Sequence, residues 1–410
     1  MNFAIVINVY IDVNETHPNP FDHPTSLIRF ENENTFMTTL ESIRKLKTET
    51  TDSLRIYTVA SATQQSSEFD ELIREKISEC FKDFPYNWLL FTNSDIRLLR
   101  EKTGSAFLSE KGYPELRNVG FILPSIMGED IIIQIDDDEL LRPEYIVKLK
   151  EVLAEHPDKY LFTAPYEKNG TVRIKTEDPL KSWKKFSPMD RDMVRFYVES
   201  DKAKESLFGF GGNMALRREF AETVHYPLNI PRGEDFSMLL ASRLVYENGN
   251  ALAGIEKENK IFRSFFLPFE EMTIIHRPPS EAKKDFLNYF ENNMNRFIME
   301  WGIFIKQKGL TISKMNELSY YIKEMIGYED FKEYIRPVFD ELYEQYPSDQ
   351  LDEMKSRLFS LIDNVAESDR WEEYKAEQKQ YIESMKRIKT EEFKAQVLEY
   401  GSRTAVASGD

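Results

Sequence analysis

One cysteine in 410 residues, Cys80, excludes an intramolecular disulfide and fits a reducing compartment. No stretch approaches the roughly 20 apolar residues that a membrane-spanning helix needs. The opening MNFAIVINVYIDV lacks the basic segment and cleavage site of a secretory leader and reads as a first strand. A cytoplasmic protein with no integral membrane segment is therefore expected. Positive charge is also in deficit: 54 Lys and Arg face 71 Asp and Glu, for a net charge of −17. That balance argues against a polyanionic partner such as DNA, RNA or an anionic membrane face. It leaves room for a nucleotide held by a metal ion or by a local cluster of arginines and lysines.

What is present is 41% apolar and 30% charged residues, the composition of a soluble folded chain long enough for two or three domains. Up to about residue 276 strand-like and helix-like segments alternate. Phe3 to Val9, Leu54 to Ala60, Trp88 to Phe91, Ile131 to Ile135 and Tyr160 to Pro165 read as strands. Glu33 to Lys47, Phe69 to Phe84 and Pro143 to Leu153 carry helical spacing. Such alternation predicts an α/β domain with a mostly parallel sheet. Residues 166–210 lose the pattern and read as an insertion or acceptor lid. Between 281 and 400 only three glycines and two prolines occur, and apolar residues recur at helical intervals. The expected organisation is a domain over 1–279, an α-helical region over 280–400 and a flexible tail over 401–410.

The most informative stretch is GEDIIIQIDDDELLRPEYI, residues 128–146. A short, β-branched apolar run reads as a strand buried on both faces. It drives into four consecutive carboxylates, Asp136 to Glu139. Ligands of parallel sheets bind beyond the carboxyl ends of the strands. Acids crowded there repel one another unless a positive group sits among them, and a divalent cation is the simplest candidate. The same acids also suit a helix start near Pro143, and the two readings are compatible.

Three other segments accompany this strand. Arg117-Asn118-Val119-Gly120 reads as a polar turn before it. After the insertion come Gly211-Gly212-Asn213, with Arg217 four residues further on, and then Pro231-Arg232-Gly233-Glu234-Asp235, which opens a helix. Met272 to Arg277 forms a short strand ending on His276.

In this order the segments resemble the GT-A-fold glycosyltransferases, close in pattern to the large family 2 group. That group joins an R-N-x-G turn, an apolar strand ending in a DXD-type motif, a G-G-N-x-x-x-[RK] segment and an E-D pair opening a helix. A downstream histidine, as in retaining members of the mannosylglycerate synthase type, matches His276. The resemblance covers residues 1–276. It implies a Rossmann-like nucleotide-sugar domain that moves a sugar, a hexose above all, from a nucleotide-diphosphate donor to an acceptor hydroxyl. By the same resemblance, Asp136 lies on the ribose or base side, with Asp137, Arg117, Gly211 and Gly212 also at the donor. Asp138 and His276 hold Mn²⁺ or Mg²⁺. Asp235 meets the acceptor as a general base in an inverting reaction, or orients it in a retaining one, and Glu234 stands beside it.

The chain departs from that pattern at the base-binding turns. A loop from Asp12 to Thr25, with His17, His23 and three prolines, replaces P-x-Y-N, and Ala60-Ser61-Ala62-Thr63 replaces D-D-G-S. Two other readings stand beside transfer. One is an inactive glycosyltransferase-like scaffold assembled through the helical region. The other is a nucleotidyltransferase, which predicts a basic glycine-rich first loop that this chain lacks. The expected acceptor is a small soluble molecule or a glycan, and Trp183, Phe186, Phe196 and Tyr197 are candidates to stack on sugar faces. A homo-oligomer built on the helices is a further possibility.

Overall fold

The computed structural model describes the whole chain except residues 14–23, 65, 111, 175–185, 229, 250–259, 280–285 and 403–410. The strands are β1 (Asn2–Asp12), β2 (Thr25–Ser26), β3 (Ser53–Ala62), β4 (Asn87–Phe91), β5 (Ile131–Asp136), β6 (Glu139–Leu140), β7 (Leu161–Thr163), β8 (Tyr166–Glu167), β9 (Lys204–Glu205), β10 (Met214–Arg217), β11 (Ser264–Phe266) and β12 (Ile274–His276). The main sheet runs β4-β3-β1-β5-β10-β7-β11-β9, with β2 alongside β1. Its first four strands are mutually parallel, and β10 runs antiparallel between β5 and β7. A second, three-stranded sheet, β6-β12-β8, sits at its carboxyl edge.

The strands form where the apolar runs were expected, because every residue from Phe3 to Val13 is buried and both sheet faces are covered. Phe3, Ile5, Ile7, Val9 and Ile11 meet the helices Thr35–Ile43, Ser67–Cys80 and Tyr145–Glu155. Ala4, Val6 and Tyr10 point to the other face, which is shared by the helices Asn93–Thr103, Tyr113–Met127 and Glu234–Glu247. Local signals set the helix limits. Asn34 accepts a hydrogen bond from the Met37 amide at 2.8 Å to open the first helix. Pro114 stands in the first turn of Tyr113–Met127, and Gly128 closes that helix in the left-handed region at φ 81°.

Beyond residue 285 the described chain is helical: Phe286–Lys306, Ile312–Leu318, Tyr320–Ile326, Lys332–Leu342, Ser348–Glu367, Arg370–Ile388 and Glu391–Gly401. The mostly parallel α/β sheet followed by a helical region is thus the architecture expected from the sequence. Gly401, read as the start of the tail, ends the last helix, and a Cβ on it would lie 2.6 Å from Cζ of Phe91 in β4. Phe290, Phe297, Trp301 and Tyr381 continue the hydrophobic cluster that begins at Ala4. Among the described residues no helix is long and apolar enough to cross a membrane.

The described parts of 166–210, residues 166–174 and 186–210, are woven into the structure. β8 joins the second sheet, β9 pairs with β11 in the main sheet, and Phe196 is buried against Phe208 and Phe266. Asp192 is fully buried and accepts from the Tyr320 and Tyr321 amides and the Ser319 hydroxyl. Packing of this kind gives Phe196 a core role and no face for a sugar. Trp183 lies outside the described residues.

Candidate active site

A cavity of about 280 Å³ opens at the carboxyl ends of β1 and β5. Asp136, Asp137, Asp138, Arg117, Gly211, Gly212, Glu234, Asp235 and His276 all line it. The nine residues given donor, metal or catalytic roles in the sequence analysis therefore meet at one place. Tyr10, Tyr113, Tyr166, Arg232 and Arg296 line it as well.

The four acids do not form one patch. β5 ends on Asp136, Asp137 and Asp138 make the turn, and Glu139 opens β6. Antiparallel pairing sets His276 of β12 opposite Glu139, and the Arg277 amide donates to the Asp138 carbonyl at 2.8 Å. That register brings His276 Nε2 to 3.1 Å from Asp138 Oδ2 across 138 residues of chain. The Tyr166 ring stacks on the imidazole at 5.5 Å, and its hydroxyl accepts from the Gly212 amide at 2.8 Å.

Asp136 is handled differently. Its Oδ2 accepts from Arg117 Nη2 at 2.9 Å, while its buried Oδ1 has no hydrogen-bond partner among the described residues. Burial pushes its carboxyl above the usual range, and Arg117 opposes that shift. Asp137 turns to the scaffold: one carboxylate oxygen accepts from the Thr25 hydroxyl, and its carbonyl accepts from Thr39 Oγ1 at 2.9 Å. Glu139 is almost fully buried and accepts from the Asp136 amide at 2.7 Å, which holds the end of β5 in place. Gly212 is small for this reason, since a Cβ there would lie 2.2 Å from Glu139 Oε1.

The R-N-x-G segment is a correction. It lies inside the helix Tyr113–Met127 and is not a turn. Helical spacing explains its residue types better than a turn would. Arg117 reaches the site, where Nε donates to Glu234 Oε1 at 3.2 Å. Asn118 pins both backbone groups of Tyr226, at 2.8 and 3.0 Å. Gly120 lets the helix close on the sheet, because a Cβ would lie 2.6 Å from Gln134 Nε2. The polar letters misled because a helix buried on nearly all sides carries its site residues among apolar ones.

Glu234 and Asp235 open the helix Glu234–Glu247 as expected. Burial and the neighbouring Asp235 push Glu234 up to about 7, against the pull of Arg117. Asp235 is half-buried; its Oδ2 accepts from the Gly211 amide at 2.9 Å and its Oδ1 from the Phe236 amide at 2.8 Å. Asn213 and Arg217 are structural: Asn213 donates to the Pro165 and Met272 carbonyls, and Arg217 to the Lys159 and Leu153 carbonyls.

As a metal site the arrangement is open. Among the described residues no three His, Cys, Asp or Glu side chains are gathered into a cage. One imidazole nitrogen and one carboxylate oxygen do converge, and Asp136 Oδ1 remains without a partner nearby on the same turn. That mixed nitrogen and oxygen set fits a Mn²⁺-type ion that draws its remaining ligands from a bound molecule.

Glu139, Tyr166 and Arg296 were not foreseen as site residues. Glu139 belongs to the acidic run, so the signal was present. Arg296 sits in a helix between Met294 and Phe297 of an apolar stripe, and nothing local distinguishes it from a packing residue.

No family model and no curated protein matches the sequence. Among solved structures the chain is similar to a mannosyltransferase from Pyrobaculum calidifontis in complex with GDP-Man and Mn²⁺, at TM-score 0.47 and 11% identity over 94% of this chain and 86% of that one. It is similar to S. aureus TarS 1–349 at TM-score 0.45 and 10% identity, over 90% and 91% of the two chains. Glucosyl-3-phosphoglycerate synthase from Mycobacterium tuberculosis follows at TM-score 0.37 and 10% identity, over 72% of this chain and 77% of that one. The chemistry of the site is read from the side chains of this chain alone.

Proposed function

We propose that the protein is a metal-dependent glycosyltransferase that moves a sugar from a nucleotide-diphosphate sugar to an acceptor hydroxyl. The observation that carries this reading is the single cavity in which the Asp138–His276 pair, the Asp136–Arg117–Glu234 chain and Asp235 face one another. Transfer breaks the bond from the anomeric carbon to the diphosphate oxygen and joins that carbon to the acceptor oxygen, which gives up its proton. Asp138 and His276 would hold a divalent ion, which when bound supplies Lewis-acid neutralisation of the diphosphate charge. Gly211 and Gly212 let backbone approach the donor. Asp235, which accepts from two amides and is half-buried at the cavity, would take the acceptor proton in an inverting course, or hold that hydroxyl in a retaining one. Arg117 acts through Asp136 and Glu234 and fixes their positions.

The test is thermal stabilisation by a panel of nucleotide diphosphates and their sugars, with Mn²⁺, Mg²⁺ or EDTA. A ligand at 100 times its Kd adds about 2.7 kcal/mol, a readable shift in Tm. Asp138→Ala is expected to abolish the metal-dependent shift. Asp235→Asn is expected to keep it and to lose transfer. If no nucleotide stabilises the folded wild type, or if either variant transfers at the wild-type rate, the corresponding assignment fails.

A further inference from the structure

The helical region does more than pack. Arg296, on the helix Phe286–Lys306, projects into the wall of the active-site cavity. Its side chain is 3% exposed, and Nε donates to Glu300 Oε1 at 2.9 Å. Glu300 in turn accepts from Ser237 at 2.6 Å, which ties this helix to Glu234–Glu247. The rest of the guanidinium lies over Gly233, where a Cβ would sit 2.3 Å from Nη1. Gly233 also adopts φ 67°, so glycine is required there twice over. Nη2 is buried and has no hydrogen-bond partner among the described residues.

A role confined to the Arg296–Glu300 pair leaves that Nη2 unexplained. A charged donor buried without a partner is a standing penalty, and native structures keep few of them. The position suggests what relieves it. Gly233 is flanked by Arg232, another lining residue, and is followed two places on by Asp235. Two arginines therefore stand on the Asp235 side of the cavity, while the Asp138–His276 pair stands with Tyr166 of the second sheet.

We infer that Arg296, with Arg232 beside it, is a recognition site for an oxyanion carried by the acceptor, a phosphate or a carboxylate, held while its hydroxyl meets Asp235. The anion is argued from the unpartnered Nη2 of Arg296 in the cavity wall; that it belongs to the acceptor rests on the proposed transfer reaction.

The experiment uses the full chain and three probes: methyl phosphate, acetate and neutral glycerol. Binding to the wild type is measured by calorimetry, with and without a saturating nucleoside diphosphate and Mn²⁺. Removing Arg296 alone would strand the buried Glu300 charge, so the test variant is Arg296→Gln/Glu300→Gln, checked for folding by its melting curve, with Arg296→Lys as a second variant that keeps the charge and loses the planar fork. The expected result is that methyl phosphate or acetate binds and glycerol does not. Whichever anion binds, its affinity should fall by about tenfold to a hundredfold in the double variant and by less in Arg296→Lys. It should also bind alongside the nucleoside diphosphate, whose own affinity stays unchanged. Absence of anion binding to the wild type, or equal binding to the double variant, overturns the inference. Competition between anion and nucleoside diphosphate also overturns it, because Arg296 then serves the donor. Failure of every nucleoside diphosphate to bind would defeat the proposed function while leaving the anion measurement to be read by itself.

Discussion

Arg117 holds a buried carboxylate, Glu234, and a half-buried one, Asp136, and replacing it by methionine tests how the site is balanced. Its side chain is 4% exposed, against 23% for Asp136 and 8% for Glu234, and it donates to them at 2.9 and 3.2 Å. Methionine fills similar space but leaves both acids uncompensated. Breaking a buried pair by removing one partner destabilises by about 3–5 kcal/mol. With a urea slope of about 3 kcal/mol per M, the midpoint at pH 8 should fall by roughly 1 to 1.7 M. The penalty should also depend on pH. Without the guanidinium, burial raises both folded-state pKa values further above their unfolded values. Such groups contribute stability at low pH that is lost as pH rises through the folded pKa, so the variant suffers most in alkali. Acidification toward pH 5 should shrink the gap by up to about 1.4 kcal/mol per pH unit for each proton taken up. Adding Glu234→Gln to Arg117→Met should recover part of the loss. Urea titrations of the three proteins at pH 5, 6.5 and 8 check this. A penalty that is the same at every pH, or below about 1 kcal/mol throughout, would refute the role given to Arg117.

Three further outcomes are expected. Glu234, pushed up to about 7 by burial, contributes stability present below its usual range and lost as pH climbs from about 4.5 through 7. Glu234→Gln should therefore flatten stability against pH in that window by an amount on the order of 2–3 kcal/mol, read from melts across the range. Gly212→Ala must displace the Glu139 carboxylate and free the Asp136 amide, at about 1–3 kcal/mol, and should weaken donor binding; an unchanged Tm and affinity would show that Glu139 moves freely. Gly120→Ala drives a methyl into Gln134 Nε2 at 2.6 Å and Val6 Cγ1 at 2.9 Å, and overpacking of this kind should cost about 1–3 kcal/mol in a denaturation midpoint.

The parallel strands were legible because a strand covered on both sides is written as an unbroken apolar run, as in Ile131 to Ile135. The acids at its end were legible for the same reason, since such a run must stop where the chain meets solvent or ligand. Arg117 was found, though placed in the wrong element: its helix is enclosed on nearly every side, so no polar face marks its period. Partners brought in from far along the chain were hidden. The pairing of His276 with Glu139 depends on strand register, and Arg296 depends on how one helix crosses another. Glu139 was passed over because a four-residue run does not say which acid turns inward to hold the end of the strand. His17, His23 and Trp183 lie outside the described residues.

The hydrophobic cluster that starts on β1 continues without a break through Phe297, Trp301 and Tyr381 to Val397 and Tyr400. A seam between the two halves would have to cut through that cluster. The helical region is accordingly a poor candidate for modular exchange: grafting it between related chains would have to carry over the whole contact surface of β4, the Asp192 contacts to Ser319, Tyr320 and Tyr321, and the arginine over Gly233 together. Diversification of this architecture should therefore proceed by paired substitutions across the seam, with neither half drifting far by itself.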